Sequence, residues 1–196
     1  MNTMTDAPRA VVIGASAGAV EVLSSILPNL SKSTPFPVFV VVHLPPHGES
    51  AISQLFKEMC EMRVKEAEDK ETIESGVIYF AAPDYHMLVE PNLYLSLSNE
   101  EPVRYSRPSI DVLFESAADV YKERLVGIIL SGANSDGAMG LREVSNRGGT
   151  CFVQDPREAL CTAMPVAALT ACPQAHAASV REISAFLRSW GEGNNV

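Results

Sequence analysis

Three short apolar runs constrain this chain more than any other feature. Arg9–Ile13 (RAVVI), Pro37–Val42 (PVFVVV) and Leu125–Leu130 (LVGIIL) are almost unbroken in β-branched and aliphatic residues. A strand with one wet face alternates polar and apolar residues. A strand covered on both faces does not, and such strands belong to parallel sheets flanked by helices. The intervening segments carry helical periodicity. Apolar residues recur at 19, 22, 23, 26 and 27, ending near Pro28. Ile52, Leu55, Phe56 and Met59 mark a second helix, and Ser109 opens a third with Ile110, Leu113, Phe114 and Ala117 on its stripe. A fourth is expected from about Asp136 to Asn146, stopped by Gly148-Gly149 and followed by a strand at Thr150–Gln154. Asp155-Pro156 and Met164-Pro165 read as helix starts with proline at the first helical position. Ser179 and Glu182 form a capping box ahead of Ile183, Phe186, Leu187 and Trp190. This order predicts an α/β fold: a doubly wound, mostly parallel, Rossmann-like three-layer sheet. Only the middle changes character. Val64–Glu68, Val77–Ala81, His86–Glu90 and Leu93–Leu97 read as strands, the last two flanking Pro91-Asn92, so an antiparallel hairpin region is expected around residues 62–98.

With 196 residues and no repeat or linker, one domain over residues 9–190 is expected, with tails at 1–8 and 191–196. Fifteen Lys and Arg against twenty-four Asp and Glu leave a net charge of −9, which would repel a phosphate backbone and argues against nucleic-acid binding. Val38–Val42 is far too short to span a membrane, and the first residues show no basic-then-apolar leader. Cys60, Cys151, Cys161 and Cys172 form no C-x-x-C pair and read as reduced thiols of a cytoplasmic protein.

Open α/β sheets bind ligands beyond the carboxyl ends of their strands. After the first strand comes Gly14-Ala15-Ser16-Ala17-Gly18, after the second His43, and after the strand ending at Leu130 comes Ser131-Gly132-Ala133-Asn134-Ser135-Asp136-Gly137. A serine, a histidine and an aspartate are thereby brought to one sheet edge. That set can perform nucleophilic acyl transfer: a hydroxyl, a general base and a carboxylate that orients the imidazole. Each residue also has a plainer explanation. Ser16 can cap a helix, Gly14 and Gly18 can belong to a nucleotide loop (although G-x-G-x-x-G is absent), His43 can be a half-buried structural histidine, and Asp136 can be a helix cap. His176 is a rival base, because with Ser16 and Asp136 it would give the chain order of α/β-hydrolases, but its surroundings read as a loop. His47 lies four residues after His43, yet Pro45 and Pro46 break any helical metal-binding face between them, so no metal site is expected. His86 starts a strand and reads as structural. Arg104 and Arg107 beside Tyr105 form the best local basic patch.

These segments resemble the catalytic domain of CheB-type protein-glutamate methylesterases of bacterial chemotaxis. The family's G-A-S-x-G-G loop is similar to Gly14–Ala19, its H-[ML]-P motif to His43-Leu44-Pro45, and its L-[ST]-G-x-x-x-D-G-A-x-G motif to Leu130–Gly140. Val64–Asp69, Ala82–Met87 and Arg107–Phe114 match as well, so the resemblance runs from about Ala10 to Phe186. It implies Ser16 as nucleophile, His43 as base and Asp136 as orienting acid. Backbone amides near Ala17 and Ala133 are the oxyanion candidates, and Arg107 is a candidate substrate contact. It implies hydrolysis of γ-glutamyl methyl esters on the cytoplasmic helices of methylated chemoreceptors, with deamidation of receptor glutamines as related chemistry and no cofactor. Other readings of the same residues are a small-molecule esterase or amidase with the same triad, and an inactive interaction domain. The chain departs from the family pattern at Ala17, often threonine, at Ala19, and at Ala133-Asn134, where the family often has Met-Gly before x-Asp. The family usually carries an N-terminal receiver domain that covers the site. No such segment precedes Arg9 here, so activity without phosphorylation is expected, with any control coming from a separate regulator protein or from flanking sequence.

Overall fold

The computed structural model describes residues 8–43 and 51–192. Its centre is a seven-stranded sheet built from β1 (Ala10–Ala15), β2 (Val38–Val42), β3 (Arg63–Glu66), β4 (Val77–Phe80), β7 (Leu125–Ile129), β8 (Thr150–Gln154) and β9 (His176–Ala178). The spatial order is β3-β4-β2-β1-β7-β8-β9, and every pairing is parallel. The two remaining strands, β5 (His86–Glu90) and β6 (Tyr94–Ser98), form a separate antiparallel hairpin.

All residues of β1, β2 and β7 are buried, and the pleat divides them between two cores. Ala10, Val12, Phe39, Val41, Leu125 and Ile129 face one layer, into which α3 (Ile110–Tyr121), α4 (Ala138–Asn146), α5 (Ala163–Ala171) and the hairpin send their apolar residues. Val11, Ile13, Val38, Val40, Val126 and Ile128 face the other, closed by α1 (Ala19–Ser24), α2 (Ala51–Met59) and α6 (Val180–Gly191). Burying both faces is what makes these strands apolar without alternation.

The doubly wound three-layer class therefore holds, and the antiparallel part is narrower than the sequence suggests. Among the described strands only β5 and β6 pair antiparallel, with Thr72 of the preceding connection forming an isolated antiparallel bridge to Tyr94 on β6; β3 and β4 extend the main sheet in parallel, with Val64 beside Ile78 and Glu66 beside Phe80. Edge strand β3 is short and half polar, so its pattern does not encode pairing direction. Asp155-Pro156 starts no helix. Asp155 instead accepts hydrogen bonds from the backbone and guanidinium of Arg157, which closes a turn. In α5, Pro165 is the third helical residue, where its missing N–H costs nothing, because first-turn donors lack intrahelical acceptors. The Ser179–Glu182 capping box is present as expected.

The sheet grows outward from β1 in both directions, through β2 on one side and β7 on the other. Its topological switch point therefore lies at the carboxyl ends of these three strands.

Candidate active site

Register places the site residues. Ala15 pairs with Val42, and the ladder continues one step as the His43 N–H donates to the Ala15 carbonyl at 3.1 Å. On the other side the Ser16 N–H donates to the Ser131 carbonyl at 2.9 Å. Ser16 and the start of the Ser131–Asp136 loop thus leave the sheet side by side, as do Ser16 and His43. Ser16, Ala17 and His43 line one open cleft of about 720 Å³, together with Gly18 and Glu21. The chain turns sharply at Gly18, whose φ of +83° belongs to the left-handed region, and enters α1.

Asp136 is fully buried. One carboxylate oxygen, Oδ2, accepts from His43 Nε2 at 2.8 Å and from the Ile110 N–H at 2.7 Å. The other, Oδ1, accepts from the Ser109 hydroxyl at 2.8 Å and the Asp111 N–H at 3.1 Å. Asp136 therefore does cap a helix, but the helix is α3, not the α4 that follows it in sequence. Burial alone would raise the pKa of this carboxyl. The bonds from His43, Ile110, Asp111 and Ser109 outweigh it and hold Asp136 below the usual aspartate value. It is a carboxylate placed to accept an imidazole N–H and able to support an imidazolium.

The remaining candidates sort themselves by position. Ala17 sits in the cleft beside Ser16, and Ala133 lies exposed on the loop ahead of Asp136. His86 is buried and structural as expected: its Nδ1 accepts from the Ser109 N–H and its Nε2 donates to the Glu101 carbonyl, which fixes the residue that in turn holds Asp136. His176 opens β9 rather than lying in a loop. It pairs with Phe152 at the amino end of an edge strand, away from the edge that carries Ser16, so the hydrolase-like order is not assembled. The Arg107 guanidinium donates to the carbonyls of Asn99 and Glu100. Arg104 reaches the site's rim, bonding Asp111 and the Ser135 hydroxyl. Leu44, Pro45 and His47 lie outside the described residues. Among those described, no three His, Cys, Asp or Glu side chains converge as metal ligands would.

Three contributors are not evident from spacing. Ser109 is disguised as an ordinary helix-opening serine. Ser131 locks the 155–162 loop against the site, its N–H donating to Gln154 Oε1 and its hydroxyl accepting from the Cys161 N–H. Asn134 donates to His43 Nδ1 at 3.2 Å. Its signal is the departure from the family's glycine at that position.

The model of the CheB methylesterase family matches residues 11–187. The chain belongs to the CheB methylesterase family. A Leptospira interrogans protein, provisionally named a protein-glutamate methylesterase/protein-glutamine glutaminase, is 42% identical over 175 residues, covering 89% of this chain and 91% of its own length. A Symbiobacterium thermophilum protein-glutamate methylesterase/protein-glutamine glutaminase is 35% identical over 94% of this chain, which spans only 51% of that longer protein. The crystal structure of the Thermotoga maritima CheB methylesterase catalytic domain superposes with a TM-score of 0.90 at 29% identity, covering 94% of this chain and 99% of that one. The fold and family implied by the resemblance are therefore those of this chain, and relatives so named are carboxylic-ester hydrolases.

Proposed function

We propose that this CheB-family domain hydrolyses γ-glutamyl methyl esters on the cytoplasmic helices of chemoreceptors, with Ser16 as nucleophile, His43 as base and Asp136 as orienting acid. One observation carries the reading: His43, which lines one cleft with Ser16, is held from behind by a 2.8 Å contact to a fully buried Asp136. Because Asp136 can only accept, the His43 nitrogen facing it carries the hydrogen, and Nδ1 keeps the lone pair. Nδ1 takes the proton of the Ser16 hydroxyl as Oγ attacks the ester carbonyl. The tetrahedral oxyanion is met by backbone N–H groups near Ala17 and Ala133, each such donor being worth roughly 3 kcal/mol. The intermediate collapses, the C–O bond to the methoxy group breaks, and His43 returns the proton to release methanol. A water molecule then gives a proton to His43 and attacks the acyl-serine; the acyl–Oγ bond breaks, His43 returns the proton to Ser16 Oγ, and the glutamate side chain is freed from the enzyme. The same cycle on a glutamine side chain expels ammonia, in line with the glutaminase half of the relatives' names. Arg107, whose guanidinium donates to the Asn99 and Glu100 carbonyls, is the candidate contact for the receptor, whereas Arg104 is paired with Asp111. A cytoplasmic site of action follows from that substrate.

A methanol-release assay on methylated receptor membranes tests the reading against a small-molecule esterase. Release from receptor with little turnover of nitrophenyl acetate is the expected result. Rapid nitrophenyl ester hydrolysis with no methanol from receptor would instead favour the small-molecule activity, and neither activity in the folded protein would favour an inactive interaction domain.

A further inference from the structure

Asn134, Asp136 and His43 form a closed cycle of hydrogen bonds. The Asp136 N–H donates to Asn134 Oδ1 at 3.1 Å, Asn134 Nδ2 meets His43 Nδ1 at 3.2 Å, and His43 Nε2 meets Asp136 Oδ2 at 2.8 Å. The direction of every bond in it is dictated by Asp136, whose backbone N–H can only donate and whose carboxylate can only accept. The first bond therefore turns the carboxamide oxygen of Asn134 toward Asp136 and its NH₂ toward the imidazole. The last puts the ring hydrogen on Nε2. The ring's single remaining lone pair, on Nδ1, then receives the Asn134 N–H.

That lone pair is the one Ser16 needs. An imidazole nitrogen has one in-plane lone pair and accepts one good hydrogen bond, so Asn134 and the Ser16 hydroxyl compete for it. Once Nδ1 has taken a proton it becomes a donor, and the Asn134 NH₂ facing it is then donor against donor. Asn134 thus favours the neutral base and opposes the imidazolium. The family pattern often places glycine here, which has no side chain to do either. We infer that Asn134 is a positioning residue that fixes Nδ1 as the basic nitrogen of His43 and restrains it until substrate displaces the carboxamide. Asn134 is exposed at the mouth of the site, where an incoming receptor helix could reach it. This role rests on Ser16 and His43 being nucleophile and base.

Two measurements on the intact chain decide it. Long-range ¹H–¹⁵N correlation of the imidazole, taken where the ring is neutral, should show His43 of the unmodified protein with hydrogen on Nε2 and none on Nδ1. The second is the rate of Ser16 phosphonylation by a fluorophosphonate. Asn134→Ala should raise it about three- to tenfold, the scale of one hydrogen bond to the base. Asn134→Ser should do the same while its hydroxyl keeps the bond from the Asp136 N–H. Ser135→Ala, a neighbouring loop change, should leave it unaltered. A hydrogen on Nδ1 overturns the assignment. So does an unchanged or slower rate in Asn134→Ser with the fold retained, which would make the residue a structural part of the turn. If the unmodified protein is not phosphonylated at Ser16, the triad reading fails instead. The imidazole spectrum then decides by itself whether the cycle exists.

Discussion

The carboxylate of Asp136 serves the fold with both oxygens and, in the proposed mechanism, the reaction with one of them, Oδ2. It ends the amide ladder of α3 by accepting from Ile110 and Asp111, and it holds the His43 ring. Replacing it with alanine would strand the Ile110 and Asp111 N–H groups and the Ser109 hydroxyl in a dry site, at about 1–3 kcal/mol for each donor left unpaired. Asp136→Ala should therefore melt several degrees lower at neutral pH, as well as being inactive. The pH dependence has a definite sign. A carboxyl whose native pKa is depressed adds stability above its unfolded value near 3.8, and loses it as pH falls through the lower native value. Thermal melts should show the gap between the unmodified protein and Asp136→Ala closing below about pH 3.8. Asp111 works in the opposite sense. Burial raises its carboxyl, so it binds its proton more readily folded than unfolded and adds stability as pH falls from the raised native value toward 3.8. Asp111→Asn should remove that contribution, so its melting temperature should fall more steeply with acid than that of the unmodified protein.

At the scale of elements, the site depends on how closely α3 and α4 approach the end of the sheet. Gly137 joins Asp136 to α4 at φ +93°, and a Cβ there would stand 2.6 Å from both Ile110 and Ile129. Gly18 is also left-handed, but its Cβ would meet nothing nearer than Leu160 at 3.2 Å. Gly137→Ala combines backbone strain with overpacking against two buried side chains, at roughly 3 kcal/mol or more, and Gly18→Ala carries mainly the strain, at about 1–2 kcal/mol. At roughly 2–4 °C per kcal/mol for a chain of this size, the first should melt several degrees below the second. The same elements show what the sequence reveals. β1, β2 and β7 are legible because burial on both faces leaves them no polar positions, and their ends locate Ser16, His43 and Asp136. The parallel pairing of β3 with β4 is not legible, since it is set by where the Ala67–Gly76 connection leads, not by residue pattern. Nor is the link between Asp136 and α3, because Ser109 and Asp136 are 27 residues apart and meet only when α3 has run back across the sheet and β7 has returned to its carboxyl edge.

For the whole molecule, the decisive feature is winding order. Because the sheet grows both ways from β1, three residues separated by 27 and 93 positions arrive at one edge, while His176 is carried to the far, amino-terminal side on β9. The account therefore stands on Ser16, His43 and Asp136 acting together and on His176 playing no part. Intact-mass analysis after fluorophosphonate treatment, with peptide mapping of the adduct, tests this most directly. The account predicts a single phosphonyl group on Ser16. The adduct should be lost in Ser16→Ala, suppressed on the order of 10⁴-fold in rate in His43→Gln, and formed normally in His176→Gln. An adduct on another residue, or one that survives His43→Gln and disappears in His176→Gln, would contradict it.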